Sequence, residues 1–199
     1  MGRMRPRAAR RRFRSERQGA PVPDDRPPAP RRVLIIGSGG AGKSTLAARI
    51  GARLALPVIH LDAVYWRAGW VETPADEWQR TVAELAARDG WVMDGNYGGT
   101  MPARLAACDT VVFLDLPRLL CLWRVVRRAI RYRGRTRPDM APGCPEQVNW
   151  EFVRWIWTYP TRRRPGVLRL LATAAATKRV EILRSGREVE AFVAGLPNG

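Results

Sequence analysis

The sequence lacks any apolar run long enough to cross a membrane. A transmembrane helix needs about 18–20 consecutive apolar residues, and no such run occurs in the 199-residue chain. The arginine-rich N-terminus is followed by proline, acidic residues and further arginine, so it does not have the apolar stretch of a secretory signal. These absences predict a cytoplasmic protein that does not associate with membranes.

Cysteine and histidine are also scarce, which argues against a metal site built from these residues. The three cysteines are Cys108, Cys121 and Cys144, and their spacing matches no zinc or haem motif. The single histidine is His60. We therefore expect three reduced thiols.

Acidic residues are few relative to basic ones, and the excess of positive charge is uneven. The chain has 35 Lys and Arg against 18 Asp and Glu, a formal charge of +17. Residues 1–32 contain eleven arginines and three acidic residues, which gives this segment a charge of +8. Charge repulsion and proline predict a disordered tail here, followed by a globular domain over residues 33–199. Several interpretations of the tail are open: a tether that binds nucleic acid or a membrane surface, an inert extension, or a start codon assigned too far upstream.

Five short apolar segments after residue 32 have the composition of buried strands. They are Val33–Ile36, Pro57–Leu61, Trp91–Met93, Thr110–Leu114 and Arg179–Leu183. Segments with helical spacing alternate with them, at 44–54, 73–88, 117–131, 146–159, 166–176 and 187–196. This alternation predicts an α/β sandwich in which helices cover a mainly parallel sheet.

A glycine-rich turn between the first strand and the first helix fits the pattern G-x-x-x-x-G-K-[ST] in full. Its residues are Gly37, Ser38, Gly39, Gly40, Ala41, Gly42, Lys43 and Ser44, followed by Thr45. Glycines allow backbone N–H groups to approach phosphate oxygens, and the start of the helix adds the positive end of its dipole. The pattern predicts that Lys43 contacts the β- and γ-phosphates of ATP, that Ser44 ligates Mg²⁺ and that Thr45 assists through its hydroxyl.

The motifs of two other P-loop classes are absent. The chain has neither the N/T-K-x-D base-specificity motif of G proteins nor an LSGGQ-type signature of ABC ATPases. It is also short for a subunit of an oligomeric motor ATPase. What remains is a small kinase-like domain, which needs an acceptor pocket, an acid that positions Mg²⁺ and cations around the transferring phosphate.

Candidates for the acceptor side follow the second strand. Asp62 is expected at the carboxyl edge of the sheet, where open α/β folds bind ligands. There it would orient or deprotonate an acceptor hydroxyl or hold a metal-bound water; the alternative is a helix N-cap. His60 is expected to be partly buried and hydrogen-bonded rather than catalytic. Tyr65, Trp66 and Trp70 would either stack on a planar acceptor or pack beneath a loop.

A second acid follows the third strand. Asp94 begins the sequence Asp94-Gly95-Asn96-Tyr97, and an acid at a strand end that faces the phosphate loop is the usual Walker B arrangement for Mg²⁺. Asp115, after the fourth strand, competes for this role. It ranks second because Leu116 and Pro117 follow it directly, as at the start of a helix.

Arginines are concentrated after the fourth strand. Arg124, Arg127, Arg128, Arg131, Arg133, Arg135 and Arg137 fall within fourteen residues that contain no acid. The glycines and prolines of residues 131–147 predict a short lid hinged on helices, and Arg162–Arg164 follow later. Guanidinium groups can neutralise phosphoryl oxygens in a bidentate manner, so we expect Arg127, Arg128 and Arg163 to stabilise the transferring charge. The alternative for the whole cluster is a solvated basic face.

Six motifs carry a family resemblance that covers about Arg32 to Leu183. They are GSGGAGKST, HLDAVYW, DGNY, FLDLP, the arginine-rich RRAIRYRGRTRPDM and the late RRRP. Together they resemble the adenylate-kinase-like P-loop proteins known as DNA topology modulation proteins. This resemblance implies a three-layer, nucleotide-kinase-like P-loop NTPase with a five-stranded parallel sheet of order 2-3-1-4-5, ATP with Mg²⁺, and a lid that closes on the phosphates. More distantly, the sequence is similar to adenylate, shikimate and gluconate kinases, although the adenylate kinase motif D-G-F-P-R is reduced here to D-G-N-Y.

The predicted function is transfer of the ATP γ-phosphoryl group to a small-molecule or nucleotide acceptor by an adenylate-kinase-like phosphotransferase. Lys43 and the loop amides would hold phosphate, Ser44 and Asp94 would position Mg²⁺, and the acceptor would be engaged by Asp62. The alternative is a nucleic-acid-associated, ATP-binding regulator that uses the tail and the lid arginines on backbone phosphates. The sequence leaves open the identity of the acceptor and whether the protein is a monomer or a dimer.

Overall fold

A computed structural model describes residues 29–147 and 149–199 of the chain. The predicted tail, residues 1–32, therefore lies almost entirely outside the described residues, and its last residue, Arg32, already belongs to the first strand. No helix within the described ranges combines the length and the apolar character that a membrane span requires.

Five parallel strands form the central sheet of the described chain. They are β1 (Arg32–Gly37), β2 (Val58–His60), β5 (Trp91–Asp94), β6 (Thr110–Leu114) and β7 (Arg179–Leu183), and a separate antiparallel ribbon consists of β3 (Trp66–Arg67) and β4 (Val71–Glu72). The spatial order of the main sheet is β2-β5-β1-β6-β7. The strand numbers differ from the expected ones because the sequence pattern does not indicate the ribbon; counted without it, the five strands lie in the order 2-3-1-4-5. The predicted α/β fold class with a five-stranded parallel sheet is confirmed.

Helices cover both faces of this sheet. They are α1 (Lys43–Leu54), α2 (Leu61–Tyr65), α3 (Ala75–Ala86), α4 (Met101–Ala107), α5 (Arg118–Arg131), α6 (Trp150–Arg162), α7 (Arg164–Ala174) and α8 (Gly186–Ala194). Successive residues of β1 point to opposite faces, so Val33 and Ile35 pack with α1, whereas Leu34 and Ile36 pack with α3. All four are at most 1% exposed, and burial of each stabilises the fold by about 1.5–3 kcal/mol.

The Trp-rich helix α6 differs from the prediction at each end. It begins at Trp150 rather than at residue 146, because the side chain of Asn149 caps it by accepting a hydrogen bond from the backbone N–H of Phe152 at 2.7 Å. It also continues two residues past Pro160. Proline has no backbone N–H, so α6 lacks one donor at Pro160. The remaining turns of α6 keep the helix continuous to Arg162.

The region before α3 is also organised differently from the prediction. Helix α3 begins at Ala75 rather than at residue 73, and Pro74 occupies its N-cap position. Thr73 Oγ1 donates to the carbonyl oxygen of Tyr65 at 2.6 Å and closes the loop that contains the ribbon. The sequence does not predict the short helices α2 and α4. With five and seven residues, these segments are too short to show a helical periodicity.

The lid predicted over residues 131–147 starts in the last residue of α5, and its remainder, residues 132–147, is docked on the ribbon in this structure. The N–H of Gly69 donates to the carbonyl oxygen of Gly143 at 2.9 Å, and Trp70 Nε1 donates to that of Pro145 at 3.2 Å. The Sγ of Cys144 donates to the carbonyl oxygen of Arg67 at 3.1 Å. Apolar side chains add to this contact: Met140, Ala141 and Cys144 pack against Trp66 and Trp70. The 132–147 segment and the ribbon therefore form one continuous wall.

Candidate active site

The carboxyl ends of the strands open into a cleft of about 1620 Å³. Residues 39–46 line it, together with arginines from α5 and from the junction of α6 and α7. Asp62, Trp66 and Trp70 line it from α2 and the ribbon. A site for one small molecule has a volume of about 300–1,000 Å³, so this cleft has room for a nucleotide together with a second small molecule.

The loop between β1 and α1 is shaped by glycines with left-handed backbones. Gly40 has φ +76° and Gly42 has φ +96°, values that favour glycine. A Cβ at Gly40 would lie 2.2 Å from the backbone oxygen of Cys121 on α5. Because α1 begins at Lys43, its first N–H groups have no intrahelical acceptor and are available to an anion. The hydroxyl of Ser38 is buried and has no hydrogen-bond partner among the described residues. The loop thus has the donors that a phosphate group requires.

Lys43 folds back onto this loop. Its Nζ donates to the carbonyl oxygens of Gly37 and Ser38, both at 3.1 Å. Gly37 and Ser38 thereby hold the lysine, and they do not themselves line the cleft. Burial lowers the pKa of Lys43, while the carboxylates of Asp62 and Asp94 oppose this shift. The ammonium group therefore lies where it can interact with the loop and with two acidic side chains.

Ser44 and Asp94 meet at the end of β5. Ser44 Oγ donates to Asp94 Oδ2 at 2.9 Å, and the other carboxylate oxygen of Asp94 is hydrogen-bonded to His60 Nδ1. The parallel register explains this contact, because His60 of β2 and Ile35 of β1 are both paired with Asp94. The carboxylate of Asp94 raises the pKa of His60. His60 is thus partly buried and hydrogen-bonded, as expected.

The pair formed by Ser44 and Asp94 fits an open type of Mg²⁺ site. Proteins usually hold Mg²⁺ through one or two carboxylates, while substrate phosphates and water complete its shell. In residues 29–147 and 149–199, no group of three His, Cys, Asp or Glu is arranged to hold a metal ion alone. The hydroxyl and the carboxylate supply the oxygen donors that Mg²⁺ prefers, directly beside the glycine-rich loop.

Asp62 lies in the first turn of α2, at the carboxyl edge of the sheet. It is not the N-cap of this helix, because α2 begins one residue earlier, at Leu61. Its Oδ1 accepts a hydrogen bond from the hydroxyl of Tyr97 at 2.6 Å. Burial and the charge of Asp62 raise the pKa of Tyr97, so this tyrosine stays a donor. The bond fixes one oxygen of the carboxylate, and Asp62 lines the cleft.

The aromatic residues of the 65–70 region divide between two roles. Tyr65 packs against Trp78 and Tyr97, with ring centroids at 5.0 and 4.8 Å, and does not line the cleft. Trp66 and Trp70 pack edge to face with each other, with centroids 5.4 Å apart, and do line it. Only the two tryptophans are therefore placed to contact a ligand.

Asp115 is engaged in an ion pair with Arg164 of α7. Arg164 donates to both of its carboxylate oxygens, at 2.7 and 2.9 Å, and Arg184 lies at 3.5 Å from Oδ2. The ion pair of Asp115 therefore links the end of β6 to the start of α7. In contrast, Asp94 contacts the loop serine directly, so the geometry favours Asp94 over Asp115 as the acid that positions a metal.

The predicted phosphate-binding arginines all line the cleft, but their contacts differ. Arg127 is exposed, and its guanidinium carbon lies 5.4 Å from the centroid of the Trp123 ring. Arg128 Nε donates to Glu146 Oε1 at 2.8 Å, and burial lowers the pKa of Arg128. Arg163 is exposed at the junction of α6 and α7. Arg128 therefore has a carboxylate partner already, whereas the other two guanidinium groups are presented to the cleft from exposed positions.

Two side chains outside the predicted set hold the loop in place. The side-chain amide of Asn96 pairs with both backbone groups of Gly37: Gly37 N–H donates to Oδ1 at 3.1 Å, and Nδ2 donates to the Gly37 carbonyl oxygen at 2.8 Å. Arg124 Nη1 donates to the carbonyl oxygen of Ala41 at 3.0 Å. The sequence showed Arg124 within the arginine cluster and Asn96 within D-G-N-Y, but no local signal indicates either contact.

Arg104 of α4 supports the segment after Asp94. Its side chain is fully buried and donates to the carbonyl oxygens of residues 95, 96 and 97 at 2.7–2.9 Å. Burial lowers the pKa of Arg104 to about 10, so the guanidinium remains charged at neutral pH. A lone arginine within the apolar sequence Met101–Ala107 is the one signal that could have indicated this role.

Comparison of sequences finds one uncharacterised relative. No family model matches this chain. Over 133 residues it is 28% identical to the uncharacterised protein YqaC of Bacillus subtilis (strain 168), and the alignment covers 65% of this chain and 72% of that protein.

Comparison of structures gives similarity to kinases. A shikimate kinase from Acinetobacter baumannii, solved in complex with shikimate, superposes with a TM-score of 0.52 and 17% identity over 82% of this chain and 89% of that one. This chain has the P-loop kinase fold. A gluconokinase from Sinorhizobium meliloti 1021 gives a TM-score of 0.48 with 16% identity, and covers 83% of this chain and 92% of its own.

Proposed function

We propose that this protein is a phosphotransferase that moves the γ-phosphoryl group of ATP to the hydroxyl of a small molecule. The main observation behind this proposal is the hydrogen bond from Ser44 Oγ to Asp94 Oδ2, at 2.9 Å. It lies at the end of the glycine-rich loop, onto which Lys43 folds back. Asp62 lines the same cleft, whose volume admits a second small molecule. The P-loop kinase fold supports this proposal.

The glycine-rich loop and Mg²⁺ would bind the phosphate groups of ATP. The N–H groups at the start of α1 and the ammonium of Lys43 would bind phosphate oxygens. Ser44 and Asp94 would hold Mg²⁺, which when bound would neutralise phosphate charge. Arg127 and Arg163 would stabilise the charge on the transferring group, with Arg128 next to them.

On the acceptor side, Asp62 would orient the acceptor hydroxyl. It would accept the hydroxyl proton while the oxygen forms its bond to the γ-phosphorus and the bond from that phosphorus to the β–γ bridging oxygen breaks. ADP is then the leaving group. Tyr97 would keep the Asp62 carboxylate in position through the bond to Oδ1. We further propose that the protein works in the cytoplasm and that it belongs with the topology modulation proteins that its motifs resemble.

The test is a titration with MgATP followed by an assay of ADP release with a panel of small-molecule hydroxyl acceptors. Lys43→Ala is expected to lower turnover by at least about 10²–10³-fold, the cost typical of one lost transition-state donor. The chain offers a matched control, because its second lysine, Lys178, donates to carbonyl oxygens of residues 106 and 108, which do not line the cleft. Lys178→Ala should retain turnover. Lack of MgATP binding by the unaltered protein, or equal turnover in the two lysine variants, would contradict the proposal.

A further inference from the structure

The acceptor end of the cleft is closed by a wall made of the ribbon and the 132–147 segment. Backbone and side-chain bonds join the two parts at Gly69, Trp70 and Cys144. Trp66, Trp70 and Met140 of this wall line the cleft, as does Asp62 of the adjacent helix α2. An acceptor that reaches Asp62 would therefore meet the side chains of this wall.

The charged groups that this segment brings to the cleft are already paired with one another. Arg137 Nη1 contacts Asp139 Oδ2 at 2.8 Å, and Arg137 Nε is ion-paired with Glu146. Glu146 also accepts from Arg128 at 2.8 Å. The side chains of Arg137 and Glu146 are only 10% and 2% exposed. Two cations and two carboxylates form this network, so its net charge is zero.

An anionic acceptor that paired with Arg137 in place of Glu146 would disrupt this network. A carboxylate or phosphate group that took Arg137 would leave the buried carboxylate of Glu146 with one cation fewer, and uncompensated buried charge is strongly unfavourable. Asp62 adds a further negative charge at the same end. Of the other cleft arginines, Arg124 of α5 donates to the carbonyl oxygen of Ala41 in the glycine-rich loop. In the proposed function, Arg127 and Arg163 bind the transferring phosphate.

Two aromatic rings complete this end of the cleft. Trp66 and Trp70 present apolar surface there, and the hydroxyl of Tyr97 is committed to Asp62. Aromatic rings pack well against the C–H faces of sugars and against planar bases. One free carboxylate oxygen beside apolar rings is suited to a neutral molecule that donates a hydroxyl.

We propose that the acceptor is an uncharged polyhydroxyl compound of the sugar, polyol or nucleoside class, and not a carboxylic acid or a phosphate ester. This inference rests on the proposed function, because it names the substrate class of the same site. The acceptor hydroxyl gives its proton to Asp62 as its oxygen bonds to the γ-phosphorus, and ADP leaves. The wall of the 132–147 segment selects against acids because Arg137, its arginine that lines the cleft, is already paired with Asp139 and Glu146.

The experiment compares pairs of compounds in which one member carries an anionic group where the other carries a free hydroxyl. Adenosine is paired with AMP, and glucitol with gluconate, and the readout is ADP release from MgATP above the background without acceptor. Stimulation is expected from uncharged members, with the uncharged member of the productive pair faster by at least about tenfold, the factor that corresponds to about 1.4 kcal/mol. Faster release with the anionic member would overturn the inference.

A charge variant tests the cause of this preference. Asp139→Asn removes the charge of one of the two carboxylate partners of Arg137. The preference for the uncharged member should therefore fall by about fivefold or more, which corresponds to one unit-charge interaction at 4 Å in water. Asp76→Asn is the matched control, because Asp76 forms an exposed pair with Arg80 on α3 and does not line the cleft. It should leave the preference unchanged. An equal effect of the two variants would show that the ion pair of Arg137 does not set the specificity.

Failure of the inference and failure of the proposed function give different results. If MgATP binds and only acids stimulate ADP release, the protein is a kinase with a different substrate class. If MgATP binds and no compound of the panel stimulates release, the assigned acceptor class is wrong. If MgATP does not bind, the proposed function itself is wrong.

Discussion

A methyl group placed on Gly40 tests whether α5 presses on the glycine-rich loop. Gly40 and Gly69 have the same backbone angle, φ +76°. A Cβ at Gly69 meets nothing within 4 Å, whereas a Cβ at Gly40 would lie 2.2 Å from the backbone oxygen of Cys121 and 2.9 Å from Val125 Cγ2. The pair Gly40→Ala and Gly69→Ala therefore separates the cost of the backbone angle from the cost of the contact.

The magnitudes follow from these distances. Alanine in a left-handed conformation costs about 1–2 kcal/mol, which is all that Gly69→Ala should lose. Ordinary contact begins at 3.4 Å, so Gly40→Ala must also displace the backbone of α5 by roughly 1 Å, and overpacking of this kind costs about 1–3 kcal/mol more. Gly40→Ala should therefore lose about 2–5 kcal/mol of the free energy of unfolding. Because the displaced helix carries Arg124, the affinity for MgATP should fall as well, while Gly69→Ala should bind normally.

Urea unfolding and calorimetric titration with MgATP measure the two effects. Equal losses of stability in the two variants would mean that the loop and α5 are not in the contact described. Normal nucleotide affinity of Gly40→Ala, with the extra loss of stability present, would mean that the position of α5 does not matter for phosphate binding.

Three further predictions concern other parts of the proposed mechanism. Asp62→Asn should leave the dissociation constant for MgATP unchanged but lower phosphoryl transfer by about 10²–10⁴-fold, as expected for a lost general base, which calorimetry and steady-state kinetics will separate. Arg104→Met should lower the free energy of unfolding by about 3–5 kcal/mol, because carbonyl oxygens of residues 95–97 lose their charged donor; Arg80→Met, at an exposed ion pair, should cost less than about 1 kcal/mol in the same urea titration. Deletion of residues 1–28 should leave ATP chemistry unchanged, whereas the alternative of a nucleic-acid-associated regulator requires that it abolish salt-dependent DNA binding in a gel-shift assay.

The parts of the fold that the sequence predicts well are those encoded locally. The run Val33–Ile36 and the glycine-rich loop after it are contiguous, so apolar composition and glycine spacing suffice to indicate a buried strand and a phosphate loop. The strands at 91–93 and 110–114 carry the same signal. For this reason the α/β class and the five-stranded parallel sheet are confirmed, and the contact between Ser44 and Asp94 follows once two strand ends are neighbours.

The parts that it does not predict depend on contacts between distant residues. Asn96 recognises the backbone of Gly37, 59 residues away, and Arg128 is paired with Glu146, 18 residues away. Periodicity and motif spacing describe neighbours along the chain, so they carry no information on such pairs. The same limitation applies to residues 131–147, which stay a predicted lid: their sequence gives no indication that Arg137 is paired with Asp139 and Glu146.

Helix α5 connects the two ends of the cleft through a continuous series of contacts. At its start, the carbonyl oxygen of Cys121 lies against Gly40, and Arg124 is bonded to the loop. One turn later, Arg128 holds Glu146, which belongs to the wall of the acceptor end. Because α5 contacts both parts, we expect a displacement of α5 at the loop to shift Arg128 and Glu146 as well. If the proposed function holds, a substitution that moves α5, such as Gly40→Ala, should change the dependence of turnover on acceptor concentration as well as on ATP.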